Sequence, residues 1–158
     1  MVRNLFKLLT CVAGCELIGL VGTPITIAAI PVWYITLNKP FFAPPNWLFG
    51  PAWTILYFLM GVAIFIIWQK GLKSKKAKTA LSYFLIQLFF NFIWTILFFG
   101  LRSPLLGLID IIILLFAIIL TIKAFSKISK AAAYLLMPYF YWVCFAAILN
   151  FAVFILNK

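Results

Sequence analysis

Three stretches of the chain carry aromatic rings and amides at helical spacing. Phe49, Trp53, Tyr57 and Met60 recur three or four residues apart, as do Gln87, Asn91 and Trp94, and then Tyr139, Trp142, Ala146 and Asn150. On a helix each set shares one face. Indole and phenol rings stack on flat apolar molecules, and a buried amide is costly unless another helix or a ligand pairs with it. Small Ala146 one turn from the Trp142 indole leaves room for something flat. The chemistry these residues point to is recognition by stacking inside a shared aromatic cavity. A plainer reading stands beside it, because Trp and Tyr also belt membrane interfaces and buried amides also join helices. Trp33, Tyr34, Trp47 and Trp68 fit that interfacial role, whereas Trp53, Asn91 and Trp142 lie farther into their segments.

Acid–base or metal chemistry has little to work with. The chain has no histidine, its two acids, Glu16 and Asp110, lie in different apolar runs, and no nucleophile motif adjoins either. Acids inside apolar runs are functional candidates in membranes. For Asp110 a bond to a helix terminus or to Arg102 is the simpler expectation. Three cysteines set out neither a disulfide framework nor a metal spacing, and no cofactor or metal is required.

The elements that must position these residues follow from composition. Of 158 residues 67% are hydrophobic and only 9% charged, against an apolar share near one half in an ordinary soluble domain. Five apolar runs, at about 5–29, 47–68, 79–100, 104–125 and 132–156, each reach the roughly 20 residues a bilayer core demands. They are continuously apolar rather than alternating, as in Ile109 to Leu120, so a transmembrane β-barrel is excluded. The expectation is an all-α integral membrane protein, one domain over 1–158 built as a bundle of five spans. Between the first two runs, Pro40, Pro44 and Pro45 remove backbone donors and impose a preshaped loop. Pro51 and Pro138 are expected near helix starts, and Pro24 is expected to bend or end span 1.

The net charge of +11 is not a nucleic-acid stripe. Arg3, Lys7, Lys70, Lys73, Lys75, Lys76, Lys78, Lys123, Lys127 and Lys130 fall on one side of a five-span topology, and Lys39, Arg102 and Lys158 on the other. That asymmetry places the N-terminus in the cytoplasm. The lysine loop after span 2 adds contact with anionic lipid, and no nucleic-acid partner is expected. Val12-Ala13-Gly14-Cys15 looks superficially like a lipoprotein cleavage site, but the apolar run continues well past the cysteine. Cys11, Cys15, Gly19 and Thr23 instead form a small-residue stripe suited to close helix packing, within the chain or in a dimer.

Several motifs together carry a family resemblance: Trp33-Tyr34, Leu37-Asn38-Lys39-Pro40, Pro44-Pro45-Asn46-Trp47, Phe49-Gly50-Pro51-Ala52-Trp53-Thr54 and Leu56-Tyr57, then Gln87-Leu88 with Asn91, Trp94, Phe98-Phe99-Gly100 and Asp110, and finally Pro138-Tyr139, Trp142, Phe145-Ala146 and Leu149-Asn150. Over nearly its whole length the chain resembles the TspO/translocator proteins, also called tryptophan-rich sensory proteins or peripheral-type benzodiazepine receptors. The resemblance implies a five-helix bundle, often a homodimer, whose cavity beneath the first loop binds porphyrins such as protoporphyrin IX and haem, and hydrophobic synthetic ligands. By motif, Trp53 and Trp142 match paired indoles facing the porphyrin, Tyr57 matches a cavity aromatic, Asn91 and Ala146 match walls, and Trp94 stands where another aromatic is usual. Phe49 joins them on the same helical stripe. The implied roles are porphyrin transport, sensing or homeostasis. One alternative is light- and oxygen-dependent porphyrin degradation, with Trp53 and Trp142 reactive; another is ligand-regulated interaction with a membrane partner. Animal members carry a tyrosine and an arginine after the Leu-Asn pair. Here Phe151 to Ile155 follow, so animal-type sterol recognition is not expected. No leader precedes the first run, which favours a bacterial plasma membrane.

Overall fold

The computed structural model describes residues 2–158, and every regular element among them is helical. Helix α1 covers Val2–Ala29, α2 Phe49–Gln69, α3 Lys75–Thr95, α4 Pro104–Ser126, α5 Lys130–Leu135 and α6 Met137–Leu156. A π turn at Ile96–Gly100 extends α3, and α5 with α6 makes a single span, giving five helices long and apolar enough to cross a membrane. The spans start with local signals. Ser74, Ser103 and Ser129 each accept a backbone N–H three residues on, at Ala77, Leu106 and Ala132, capping α3, α4 and α5. Gly71 ends the turn after α2 at φ 96°, a left-handed conformation that glycine adopts without steric cost.

The prolines behave differently from one another. Pro51 is the third residue of α2, where its missing donor has no partner to lose. Helix α1 runs through Pro24 to Ala29 and does not end there. Pro138 lies about two turns into the last span, which starts at Lys130, and is the second residue of α6, near a helix start as expected. With no N–H at that position the α-helical ladder breaks at Leu136, separating α5 from α6.

Neighbour relations close the spans into a ring, in the order α1, α2, α5–α6, α4, α3 and back to α1. Only 11% of the apolar window of α1 is buried, against 39% in the spans containing α2 and α4, so α1 is the staff most open to lipid. Three members of the small-residue stripe of α1 pack inside the chain, while Thr23 is exposed. Cys11 and Cys15 are buried, a Cβ on Gly61 would lie 2.5 Å from Val12 Cα, and a Cβ on Gly19 would meet the Tyr57 ring at 2.6 Å. Small residues let α1 and α2 approach this closely, and van der Waals packing holds helices together where lipid supplies no hydrophobic drive. Outward-facing Phe58, Phe89, Ile112, Phe116 and Ile148 are exposed, as a lipid-contacting surface requires.

The α1–α2 loop folds back over one end of the bundle. Tyr34 is only 4% exposed, packed against Phe98 and Phe99 at ring separations of 6.3 and 5.7 Å. It is a plug rather than the interfacial anchor its composition suggested, and burial pushes its phenol pKa up. Trp47, by contrast, is 71% exposed, as an anchor would be.

Candidate functional site

Helices α2, α3 and α6 bring their aromatic and amide faces together in the middle of the bundle. Trp53 stacks on Tyr57, centroids 5.5 Å apart at 30°, and meets Tyr139 edge-on at 6.2 Å. The Tyr57 hydroxyl donates to Asn91 Oδ1, and Asn91 Nδ2 donates to the Tyr139 hydroxyl at 3.1 Å. A single amide from α3 thus ties α2 to α6. One turn along α3, Trp94 Nε1 donates to Asn150 Oδ1 at 3.2 Å, and Asn150 Nδ2 donates to the Pro104 carbonyl at 2.7 Å. Gly107 makes room for this pair, since a Cβ there would lie 2.9 Å from Asn150 Oδ1 and from the Phe98 ring. The deep amides of the three stripes are therefore largely paired, as apolar surroundings demand.

Two further polar groups are not. Gln87 Nε2 reaches Met60 Sδ at 3.8 Å while Gln87 Oε1 is buried without a partner, and Asp110 Oδ2 is likewise buried and unpartnered. That Asp110 oxygen bonds neither a helix terminus nor Arg102. The chain turns Asp110 inward on α4, one residue before Ile111, which lines the central cavity.

Two spaces lie side by side around these residues. The central one is enclosed by Trp53, Asn91, Trp94, Ile111, Leu114, Val143 and Ala146 and has a volume of about 10 Å³. A cavity needs roughly 10–15 Å³ to hold one water, so this space is closed to anything larger. The second is a groove of about 520 Å³ between α2 and α6, lined by Pro44, Leu48, Ala52, Ile55, Leu56, Pro138, Tyr141, Trp142 and Phe145. Its size falls in the range of about 300–1,000 Å³ that small-molecule sites occupy. Trp142 faces this groove, leaning on Phe145 at 5.8 Å and edge-on to Phe49 at 6.2 Å. Consecutive residues on each helix serve different spaces: Ala52 and Trp53, Trp142 and Val143, Phe145 and Ala146. One layer of side chains separates groove from cavity.

Of the seven residues expected at the site, Trp53, Asn91, Trp94 and Ala146 line the central cavity. Tyr57 is joined to it through Trp53 and Asn91, while Trp142 and Phe49 stand on the groove side. Sequence spacing did not single out Tyr139 as the second anchor of Asn91, or Ala52, Ile55 and Tyr141 as groove walls. Tyr139 did carry a signal, since it shares the α6 stripe with Trp142; the groove walls carried none, being ordinary apolar residues on a lipid-directed face. Among the described residues no group of three or more Cys, Asp or Glu side chains could hold a metal, and Cys11, Cys15 and Cys144 are free thiols.

A closed ring of five membrane-spanning helices with an aromatic, amide-laced interior defines an integral, multi-pass membrane protein. Residues 11–156 match the family model of the TspO/MBR family. The chain is 48% identical over 154 residues to the tryptophan-rich protein TspO of Archaeoglobus fulgidus, covering 98% of this chain and 99% of that protein. It is 41% identical over 155 residues to the tryptophan-rich protein TspO of Chlorobaculum tepidum, with 98% of each chain covered. Against the human translocator protein the identity is 37% over 122 residues, 77% of this chain and 72% of the relative. The chain belongs to the TspO/MBR family.

Proposed function

We propose that this protein binds tetrapyrroles such as protoporphyrin IX or haem, and acts in their transport, sensing or homeostasis. The observation that carries the reading is the pair of aromatic-lined spaces divided by one layer of side chains between α2 and α6. Neither space alone suits a flat macrocycle with wide faces: the cavity is too small, and the groove presents Trp142 but not Trp53. A shift of α2 from α6 joins them, exposing Trp53, Trp142 and Phe49 to one ligand, with Tyr57, Asn91 and Trp94 behind it and Ala146 leaving space. Such a shift draws on the Trp53–Tyr139 contact and the Tyr57–Asn91–Tyr139 bridge, so ligand contacts must replace them. Offset stacking stabilises each ring contact by about 0.5–1.5 kcal/mol beyond area burial, and free protoporphyrin needs no metal ligand. The charge asymmetry supports a cytoplasmic N-terminus, with the loop end of the bundle on the opposite face of the membrane.

Titration of the purified protein with protoporphyrin should quench tryptophan fluorescence saturably, and Trp53→Ala should weaken that quenching. Absence of quenching at micromolar porphyrin overturns the proposal. A second reading, photo-oxidative breakdown of the bound porphyrin, draws on the same placement of two indoles on opposite sides of the dividing layer. Under illumination in air the porphyrin spectrum should then decay faster with the unaltered protein than with a Trp53→Phe, Trp142→Phe double variant. Equal decay removes this reading and leaves binding in place.

A further inference from the structure

The α1–α2 loop is tied to the far end of the chain at one point by side-chain hydrogen bonds. The Asn38 backbone N–H donates to Asn157 Oδ1 at 2.9 Å, and Asn157 Nδ2 donates back to the Asn38 carbonyl at 2.9 Å. A side-chain amide here pairs with one residue's backbone donor and acceptor together, as a neighbouring strand would. Asn157 Nδ2 also donates to the Val153 carbonyl at 2.8 Å, which fixes the amide against the last turn of α6. Asn38 Nδ2 adds a longer bond, 3.4 Å, to the Leu156 carbonyl. These last carbonyls of α6 lack helical partners, so the loop doubles as its C-cap.

The clasp divides the loop into two parts. On its N-terminal side the chain is held by backbone bonds to the end of α1, from Trp33 to Ala29 and from Ile35 to Ile30, and by the buried Tyr34. On its C-terminal side, Lys39–Pro45 has a single internal turn bond, from Ala43 to Pro40, and Phe41 is fully exposed. Yet this second part is the one that covers ligand-sized space. Pro44 lines the groove, and Phe42 meets Phe145, another groove residue, at 6.3 Å. Between the two parts the attachments are these solvent-exposed hydrogen bonds and the Lys39 ammonium, 4.6 Å above the Tyr34 ring.

We propose that Asn157 is a positioning residue: its reciprocal clasp on Asn38 latches the α1–α2 loop over the α2–α6 groove and thereby sets how fast ligand enters and leaves. The inference rests on the ligand-binding reading above and adds its rate control. Its geometry makes an asymmetric demand. The two 2.9 Å bonds use the Asn157 side chain but only the backbone of Asn38. Asn157→Ala therefore removes the latch, while Asn38→Ala leaves both of those bonds available.

Amide hydrogen exchange on the ligand-free protein in lipid nanodiscs reads the latch directly, through the Asn38 N–H and the loop amides from Leu37 to Ala43. Losing the two reciprocal bonds should raise loop exchange roughly tenfold in Asn157→Ala, with a much smaller rise in Asn38→Ala. Stopped-flow protoporphyrin quenching should show association and release both faster in Asn157→Ala, with the affinity nearly unchanged. A cross-linked Asn38→Cys, Asn157→Cys variant should slow both rates, and reductant should restore them. Unchanged loop exchange in Asn157→Ala overturns the latch, and faster exchange with unaltered ligand rates overturns its control of entry. If the unaltered protein gives no quenching at all, tetrapyrrole binding falls with it, and the exchange comparison of the two alanine variants alone decides the latch.

Discussion

The central cavity and the α2–α6 groove are one side chain apart and are built on opposite principles. The cavity holds a tyrosine–amide–tyrosine bridge of Tyr57, Asn91 and Tyr139 and is shrunk to about 10 Å³. The groove is about 520 Å³ with walls of proline, aliphatic and aromatic residues, and its rings rest edge-on or tilted on one another without hydrogen bonds between them. Polar pairing in an apolar interior rigidifies, because every member must keep its partner. Apolar walls beside lipid are free to part, since lipid replaces each lost contact with a similar one. The difference assigns stability and helix register to the cavity residues, and leaves the groove the looser of the two.

Removing the bridge is the strongest way to break that division. Asn91→Leu leaves two buried hydroxyls without their amide and should lower stability by about 2–4 kcal/mol in thermal unfolding in mild detergent. Trp142→Ala, on the groove side, should stay within about 1 kcal/mol of the unaltered protein, because lipid or detergent fills the space it vacates. Equal losses for the two variants would erase the contrast.

Filling tests act next. Ala146→Phe places a ring in the central cavity and should weaken protoporphyrin binding about tenfold or more, near 1.4 kcal/mol, by equilibrium quenching. Ala52→Phe fills the groove instead and should slow association more than it changes affinity. If Ala146→Phe binds normally, the ligand stays in the groove and the two spaces never merge. Smaller still is the contribution of each indole: Trp53→Phe and Trp142→Phe should each cost about 0.5–1.5 kcal/mol of binding, with similar values only if one macrocycle touches both.

The loop end gives the mildest effect. Burial raises the Tyr34 phenol above its ordinary value of 10.0, because the charged phenolate loses solvation there. A raised acid pKa stabilises the fold below the unfolded value and loses that contribution as pH rises through the folded one. The plug should hold fully up to about pH 10 and loosen only above it. Phenolate absorbance of Tyr34, isolated by difference against Tyr34→Phe, should appear at higher pH than that of free tyrosine. Its appearance at or below pH 10 would contradict the packing of Tyr34 on Phe98 and Phe99.

Much of this architecture could be read along the chain. Five continuously apolar runs separated by serine caps, glycine and lysine loops leave little choice but five helices, since in lipid each span must satisfy its own backbone. Spacing of three and four put Trp53 with Tyr57 and Asn91 with Trp94 on common faces, because helical period is a local property, whereas Trp142 and Ala146, also four apart, line the groove and the cavity respectively. Trp94, Asn91 and Trp53 do converge on one cavity.

What local pattern could not decide is anything that depends on which helices become neighbours. Asn91 lines the central cavity, and only the ring order α1, α2, α5–α6, α4, α3 also sets it between Tyr57 and Tyr139. Of the stripe of Cys11, Cys15, Gly19 and Thr23, packing within the chain takes up the first three and leaves Thr23 exposed. The two indoles look equivalent in the sequence, and only the rotation of α6 against α2 turns Trp142 to the groove while Trp53 faces inward. The partnership of Asn38 and Asn157, separated by 119 positions, exists only because the loop folds back over the last turn of α6. The chain by itself determined the helices and the faces they carry, because those follow from backbone satisfaction and period. The tertiary structure decided the partners across those faces, because each side chain can contact only what the packed ring brings within reach.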